Sequence, residues 1–173
     1  MQPPDIRHEW IAADGARVTI RPIRPEDREI EHAFVRNLST DSKYQRFFSM
    51  IKELSPQLLD RFTRPDFPRE MAFIATIATG DGEVEIGVAR YAPGRTDNTV
   101  EFAIVIADSW QGKGLGRQML QHLFDVAKAS GIARIEGIVL RSNRNMLALC
   151  RELGFRVGVL EGDAKLALVS KDL

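Results

Sequence analysis

The run Gln111-Gly112-Lys113-Gly114-Leu115-Gly116 has the residue types and spacing best suited to chemistry in this chain. It follows a strand-like stretch, Val100 to Ile106, and leads straight into a helix-like stretch, Leu115 to Ser130. The first N–H groups of a helix have no intrahelical partner, and the helix dipole favours negative charge at that end. Glycines let the backbone curl around an anion without Cβ collisions. Lys113 and Arg117 add positive charge. A strand, a glycine-spaced turn and a helix start in this order predict a phosphate or pyrophosphate site. The plain alternative is a glycine-rich helix start that holds no ligand.

The spacing excludes two common phosphate binders. A P-loop needs four residues between its first glycine and a Gly-Lys-Ser/Thr, and no such run exists. A dinucleotide fingerprint needs G-x-G-x-x-G, and counting from Gly112 its third glycine would fall on Arg117. What remains is Q-x-x-G-x-G, with Gln111, Gly114 and Gly116 as its defined positions.

Around this loop the chain reads as a series of short elements. Trp10 to Ala12 and Arg17 to Arg21 form a hairpin through Asp14-Gly15. Residues 1–16 are an arm and the start of that hairpin, and 17–173 are one domain. Pro25 opens a helix to about Leu38, with Glu26 and Asp27 at its positive end. Ser39 or Asp41 caps a second helix holding Tyr44, Phe47 and Phe48, and Pro56 opens a third to about Phe62. Strands follow at Met71 to Thr79, Glu83 to Tyr91 and Thr99 to Ala107. After the loop, Leu115, Met119, Leu123, Val126 and Ala127 share one helix face, which Gly131 ends. Ala133 to Leu140 is a strand and Asn143 to Leu153 a helix. Phe155 to Leu160 and Ala164 to Val169 close the chain as strands. The fold class is mixed α/β (α+β): a central, mostly antiparallel mixed sheet flanked by helices, and not a doubly wound one.

Composition narrows the function. The 173 residues suit one core. Lys plus Arg and Asp plus Glu each number 24, which gives no nucleic-acid-binding footprint. No apolar run approaches the roughly 18–20 residues of a membrane span, and the start, with Pro3 and Pro4, is unlike a signal peptide. One cysteine, Cys150, allows no internal disulfide framework, and a cytoplasmic location is expected. His8, His32 and His122 have no metal-ligand spacing, read as surface residues, and no metal is expected.

Three motifs and the element order resemble the GNAT acetyltransferase superfamily over nearly the whole chain. The glycine loop is similar to its coenzyme A pyrophosphate loop, Arg/Gln-x-x-Gly-x-Gly/Ala. Asn143 through Cys150 to Gly154-Phe155 resembles its Asn-x6-Tyr-x3-Gly-Phe helix. The run Arg17 to Asp27, with Tyr44-Gln45-Arg46-Phe47-Phe48, resembles the GNAT domain of bacterial Pat-type protein lysine acetyltransferases.

The resemblance implies a GNAT-like fold and an N-acetyltransferase that uses acetyl-CoA as co-substrate and transfers directly within a ternary complex. It implies that Ile104, Val105 and Ile106 offer backbone groups to the pantetheine arm. Gln111, Gly112, Lys113, Gly114, Leu115 and Gly116 would hold the pyrophosphate, and Asn143 would contact coenzyme A or cap its helix. Glu101 is the candidate general base, against the reading of a surface strand carboxylate; Glu83 and Glu85 are weaker candidates. Cys150 stands where the superfamily often has a Tyr, and reads as core packing or as a proton donor. Tyr44, Arg46, Phe47 and Phe48 read as core or as lining of an acceptor pocket. The acceptor is expected to be an amine, a protein lysine first and a small molecule second, on a monomer or homodimer. A coenzyme A sensor without turnover is the rival reading.

Overall fold

A computed structural model describes residues 1–173, whose eight strands join in one sheet. The strands are β1 (His8–Ile11), β2 (Arg17–Pro22), β3 (Met71–Thr79), β4 (Gly82–Pro93), β5 (Thr99–Ile106), β6 (Arg134–Leu140), β7 (Arg156–Val159) and β8 (Leu166–Asp172). Their order is β1-β2-β3-β4-β5-β6-β8-β7. Every pairing is antiparallel except β5 with β6. The helices are α1 (Arg28–Asn37), α2 (Thr40–Phe47), α3 (Pro56–Phe62), α4 (Leu115–Ala129) and α5 (Arg144–Glu152). This is the mixed, mostly antiparallel sheet that the pattern of elements predicts.

Strand side chains alternate between the two faces of a sheet, and this alternation builds two cores. Phe73, Ala75, Phe102, Met119 and Leu123 belong to the larger one, under α4 and α5. Ile74, Val88, Val105, Phe34 and Leu59 belong to the smaller one, under α1 and α3.

Several element bounds differ from the sequence reading: β1 is His8–Ile11 rather than Trp10 to Ala12, β4 is Gly82–Pro93, α5 is Arg144–Glu152, β7 is Arg156–Val159 rather than Phe155 to Leu160, and β8 starts at Leu166 rather than Ala164. A separate 3-10 turn, Pro25–Asp27, precedes α1. Phe48 falls outside α2 and takes a left-handed conformation at its C-cap, φ 55°. β8 continues to Asp172, because it pairs with the full length of β6, from Leu140 opposite Leu166 to Arg134 opposite Asp172.

The feature that makes room for a site is a fork. β5 pairs with β6 only at Thr99–Arg134, Val100–Ile135 and Glu101–Glu136. β4 follows β5 much further, to Gly87 opposite Ile106. From Phe102 onward one edge of β5 therefore has no strand beside it. The residue after Glu136 is Gly137, where a Cβ would lie 2.5 Å from the Phe102 ring. That ring fills the space at the fork and packs on Phe124 and Phe155, with centroids 6.1 and 5.3 Å away.

Candidate functional site

Hydrogen-bond parity decides which groups of β5 face the open edge. The Ala107 N–H donates to the Ile86 carbonyl and the Gly94 N–H to the Thr99 carbonyl, each at 2.8 Å. Bonded and non-bonded pairs alternate along an antiparallel ladder, and both ends give the same alternation. Glu101, Ala103 and Val105 thus turn their backbone groups to β4. Phe102, Ile104 and Ile106 turn theirs to the open edge. Val105 departs from the expectation that it offers backbone groups to a ligand; its side chain packs in the smaller core.

β5 leads through a 3-10 turn, Asp108–Trp110, into the glycine loop. Gly114 is the N-cap of α4 at φ 91°, a conformation that disfavours any residue with a Cβ, and no side chain caps this helix. The first N–H groups of α4 are left facing outward, as an anion site requires. Leu115, 1% exposed, anchors the helix start in the core and can offer only its backbone. The Lys113 ammonium lies 5.1 Å from the Trp110 ring centre and 3.8 Å from Asp14. Arg117 pairs with Glu152 on α5.

Four polar side chains fasten this loop to α2. The Ser39 N–H and hydroxyl donate to Asp108 at 2.9 and 2.7 Å, and the Ser42 hydroxyl donates to it at 2.7 Å. The Gln111 amide donates to the Ser42 hydroxyl at 3.1 Å and to the Ile106 carbonyl at 2.9 Å. Desolvation opposes the Asp108 carboxylate, yet the bonds from Ser39 and Ser42 hold its pKa below the ordinary value. Gln111 therefore acts as an internal clamp on the loop.

A cavity of about 620 Å³ joins these parts. It brings together Glu101, Ile104, Val105, Ile106, Gln111, Gly112, Gly114, Gly116 and Asn143. Lys113 and Leu115 are not in its lining. Asn143 also caps α5 by accepting from the Met146 N–H at 3.2 Å. On the far wall Gln45, Arg46 and Phe48 line the cavity; Tyr44 and Phe47 do not. Glu101 is partly exposed and its carboxylate makes no ion pair or hydrogen bond within the chain.

The other candidates lie elsewhere. The Glu83 carboxylate accepts from Thr76 at 2.7 Å and pairs with Arg21 at 3.2 Å. Glu85 is 3% exposed, outside the cavity lining. Cys150 is fully buried in the larger core, and burial pushes its thiol up to about 11. His32 lies 3.0 Å from Glu53. His8 and His122 stack at 3.6 Å beside a separate hollow of about 560 Å³ between the N-terminal segment and α4. All three histidines are half-buried rather than fully at the surface. No group of three or more His, Cys, Asp or Glu side chains is arranged to hold a metal ion, and no helix is long and apolar enough to cross a membrane.

Known proteins are similar to this chain in sequence and in fold. The chain is 42% identical over 149 residues to an acetyltransferase of Pseudomonas aeruginosa, covering 84% of this chain and 80% of that one. It is 26% identical over 136 residues to the acetyltransferase Pat of Mycolicibacterium smegmatis, covering 78% of this chain and 40% of that protein. The crystal structure of the GNAT domain of Streptomyces lividans Pat superposes with a TM-score of 0.88 at 28% identity, each chain fully covered. The family model for the acetyltransferase (GNAT) domain matches residues 17–156, from β2 to the start of β7. The forked sheet, the uncapped glycine loop and these matches together make the chain a member of the GNAT acetyltransferase family.

Proposed function

We propose that the protein transfers an acetyl group from acetyl-CoA directly to a primary amine, with Glu101 as the base. The observation that carries this is one cavity with an unpaired carboxylate at the fork, an open strand edge beside it and an uncapped helix start at its other end. Acetyl-CoA, when bound, supplies the acetyl group as a thioester. The N–H groups at the start of α4 hold the pyrophosphate, with Gly112 and Gly114 giving the loop its curl. The backbone groups of Ile104 and Ile106 hold the pantetheine arm as a neighbouring strand would, and an outward N–H polarises the thioester carbonyl.

An alkyl ammonium has a pKa near 10.4, so only about one molecule in a thousand is a free amine near neutral pH. Glu101 takes that proton, directly or through a water, before the nitrogen attacks, and the second N–H proton, lost as the amide forms, passes through water to the departing sulfur. Buried away from the cavity, Cys150 takes no part, and the departing sulfur is protonated by water. The likeness to Pat proteins puts a protein lysine first as acceptor and a small-molecule amine second.

Release of free thiol from acetyl-CoA, measured over a panel of amines and lysine peptides, tests the reading. Amine-dependent release with a matching mass gain on the acceptor is expected. Tight coenzyme A binding with no release on any amine would make the protein a binding module instead.

A further inference from the structure

The acceptor end of the cavity carries two opposite charges that do not meet. Glu101 stands on β5, and Arg46 stands on the last turn of α2. α2 lies along β5, with Ser42 tied to Asp108 at the cofactor end and Arg46 one turn further on, toward the fork.

Two guanidinium groups occupy this region: Arg90 has an ion-pair partner within the chain, though its buried Nε makes no hydrogen bond, and Arg46, which lines the cavity, has none. Arg90 pairs with Glu31 at 3.2 Å and donates to the Phe62 carbonyl at 3.2 Å. Arg46 makes no ion pair and donates no hydrogen bond within the chain. What faces it are the Phe47 and Phe62 rings, at 4.7 and 6.0 Å. Burial pushes its pKa down to about 10, the Arg90 charge adds to this, and Glu31 and Glu101 oppose it. It remains charged at neutral pH. A partly buried charge without a partner is costly, so a partner from outside is favoured.

Glu101 is near enough to act on Arg46 through space, yet the two form no ion pair. Opposite charges held apart across one cavity are the complement of a zwitterion. The planar fork of Arg matches a carboxylate in a bidentate way. The anions of the coenzyme are taken by the loop at the other end, which leaves Arg46 for the acceptor.

We propose that the acceptor is a small molecule of the amino-acid class, its carboxylate held by Arg46 and its amine presented to Glu101. This rests on the acetyltransferase reading above and reverses the order of its two acceptors. In the transfer a C–N bond forms and the thioester C–S bond breaks. The amine proton passes to Glu101, the N-acetylated amino acid keeps its carboxylate on Arg46, and coenzyme A leaves as the thiol.

The test measures thiol release from acetyl-CoA with the standard L-amino acids, their primary amides, and a lysine peptide blocked at both ends and free of acidic residues. Wild type, Arg46→Gln and Arg46→Lys are compared, with coenzyme A affinity as the check on folding. At least one acid is expected to exceed its amide by roughly 10- to 100-fold in kcat/KM, the worth of a charge-assisted hydrogen bond. That ratio should collapse toward one in Arg46→Gln and stay partly in Arg46→Lys. Amides or the peptide reacting as fast as the acids would overturn the proposal, as would an Arg46→Gln loss that is equal for all acceptors. If neither variant folds, the acid-to-amide ratio of wild type alone decides. No release with any amine overturns the acetyltransferase reading as well, whereas release without preference for acids overturns only this proposal.

Discussion

Glu101, the proposed base, is held at the fork by its backbone pairing rather than by its own side chain. Its backbone bonds to β4 opposite Ala92, and it is the last residue of β5 to pair with β6, opposite Glu136. The carboxylate itself makes no ion pair or hydrogen bond within the chain and lines the cavity. Glu101→Gln should keep the fold and the coenzyme A affinity, because Gln is nearly the same shape and the loop, not Glu101, is the proposed holder of the coenzyme. Turnover should fall by roughly 10²–10⁴-fold, the usual worth of a positioned base. The deficit should shrink as pH rises toward the acceptor pKa, because more of the amine is then already free. A pH–rate profile of both forms on one acceptor is the measurement. Equal rates near neutral pH would remove Glu101 from the reaction, and a constant deficit up to pH 10 would make it a substrate-binding group. At this scale the sequence is unevenly legible. Glu101 stands out as a candidate by its distance from the loop along one strand and by a Glu-Phe-Ala context similar to that of Pat-type domains. Arg46 is harder to find, because Tyr44, Phe47 and Phe48 around it read as a helix face turned to the core. The end of α2 at Phe48 is what puts Arg46 and Phe48 on the cavity wall instead.

At the scale of elements, the loop and the fork are separate devices that meet at β5. Gly114 joins them: its left-handed φ of 91° turns the chain from the 3-10 segment into α4. Only the Trp10 side chain, 3.8 Å away, lies near where its Cβ would be. Gly114→Asp should therefore leave the protein folded, with a stability loss of about 1–2 kcal/mol from the left-handed backbone. Coenzyme A affinity should drop by at least tenfold, because a carboxylate would stand at the helix end proposed to hold the pyrophosphate. Calorimetric titration beside a thermal melt measures both effects. A folded mutant with unchanged affinity would place the phosphate elsewhere. The loop is legible because all its parts are consecutive residues with a glycine period. The clamp on it is not, because Ser39 and Asp108 are 69 positions apart and each has the commoner role of a turn or cap residue. The fork is illegible for another reason. Strand patterns give the length of β5 and β6 but not where their pairing stops, which the Phe102 ring over Gly137 explains only once the two are seen together.

For the molecule as a whole, the two faces of the sheet are stabilised differently. The face under α4 and α5 buries an apolar cluster of 25 residues, whereas the cluster under α1 and α3 has 10. The thinner layer also buries charge: Glu31 is 1% and Glu85 3% exposed, with Arg90 between the layers and paired to Glu31. Neither Glu85 oxygen has a hydrogen-bond partner. Burial first, and then the Glu31 charge, raise its pKa well above the ordinary 4.5, with Arg90 opposing. Below about pH 4.5 both folded and unfolded chains hold this proton, so the group costs nothing. Above that, the unfolded chain releases the proton while the folded chain retains it. The unfolded state then binds fewer protons, and stability falls as pH rises, by up to about 1.4 kcal/mol per unit, until the folded pKa is reached. A glutamine at this site stays neutral at every pH and can donate to Glu31. Glu85→Gln should thus match wild type near pH 4.5 and become progressively more stable than it toward pH 8. Denaturant melts of both forms across this range measure the difference. A gap that does not change with pH would mean that Glu85 is already ionised in the folded protein and that Arg90, rather than a retained proton, is what makes its burial tolerable.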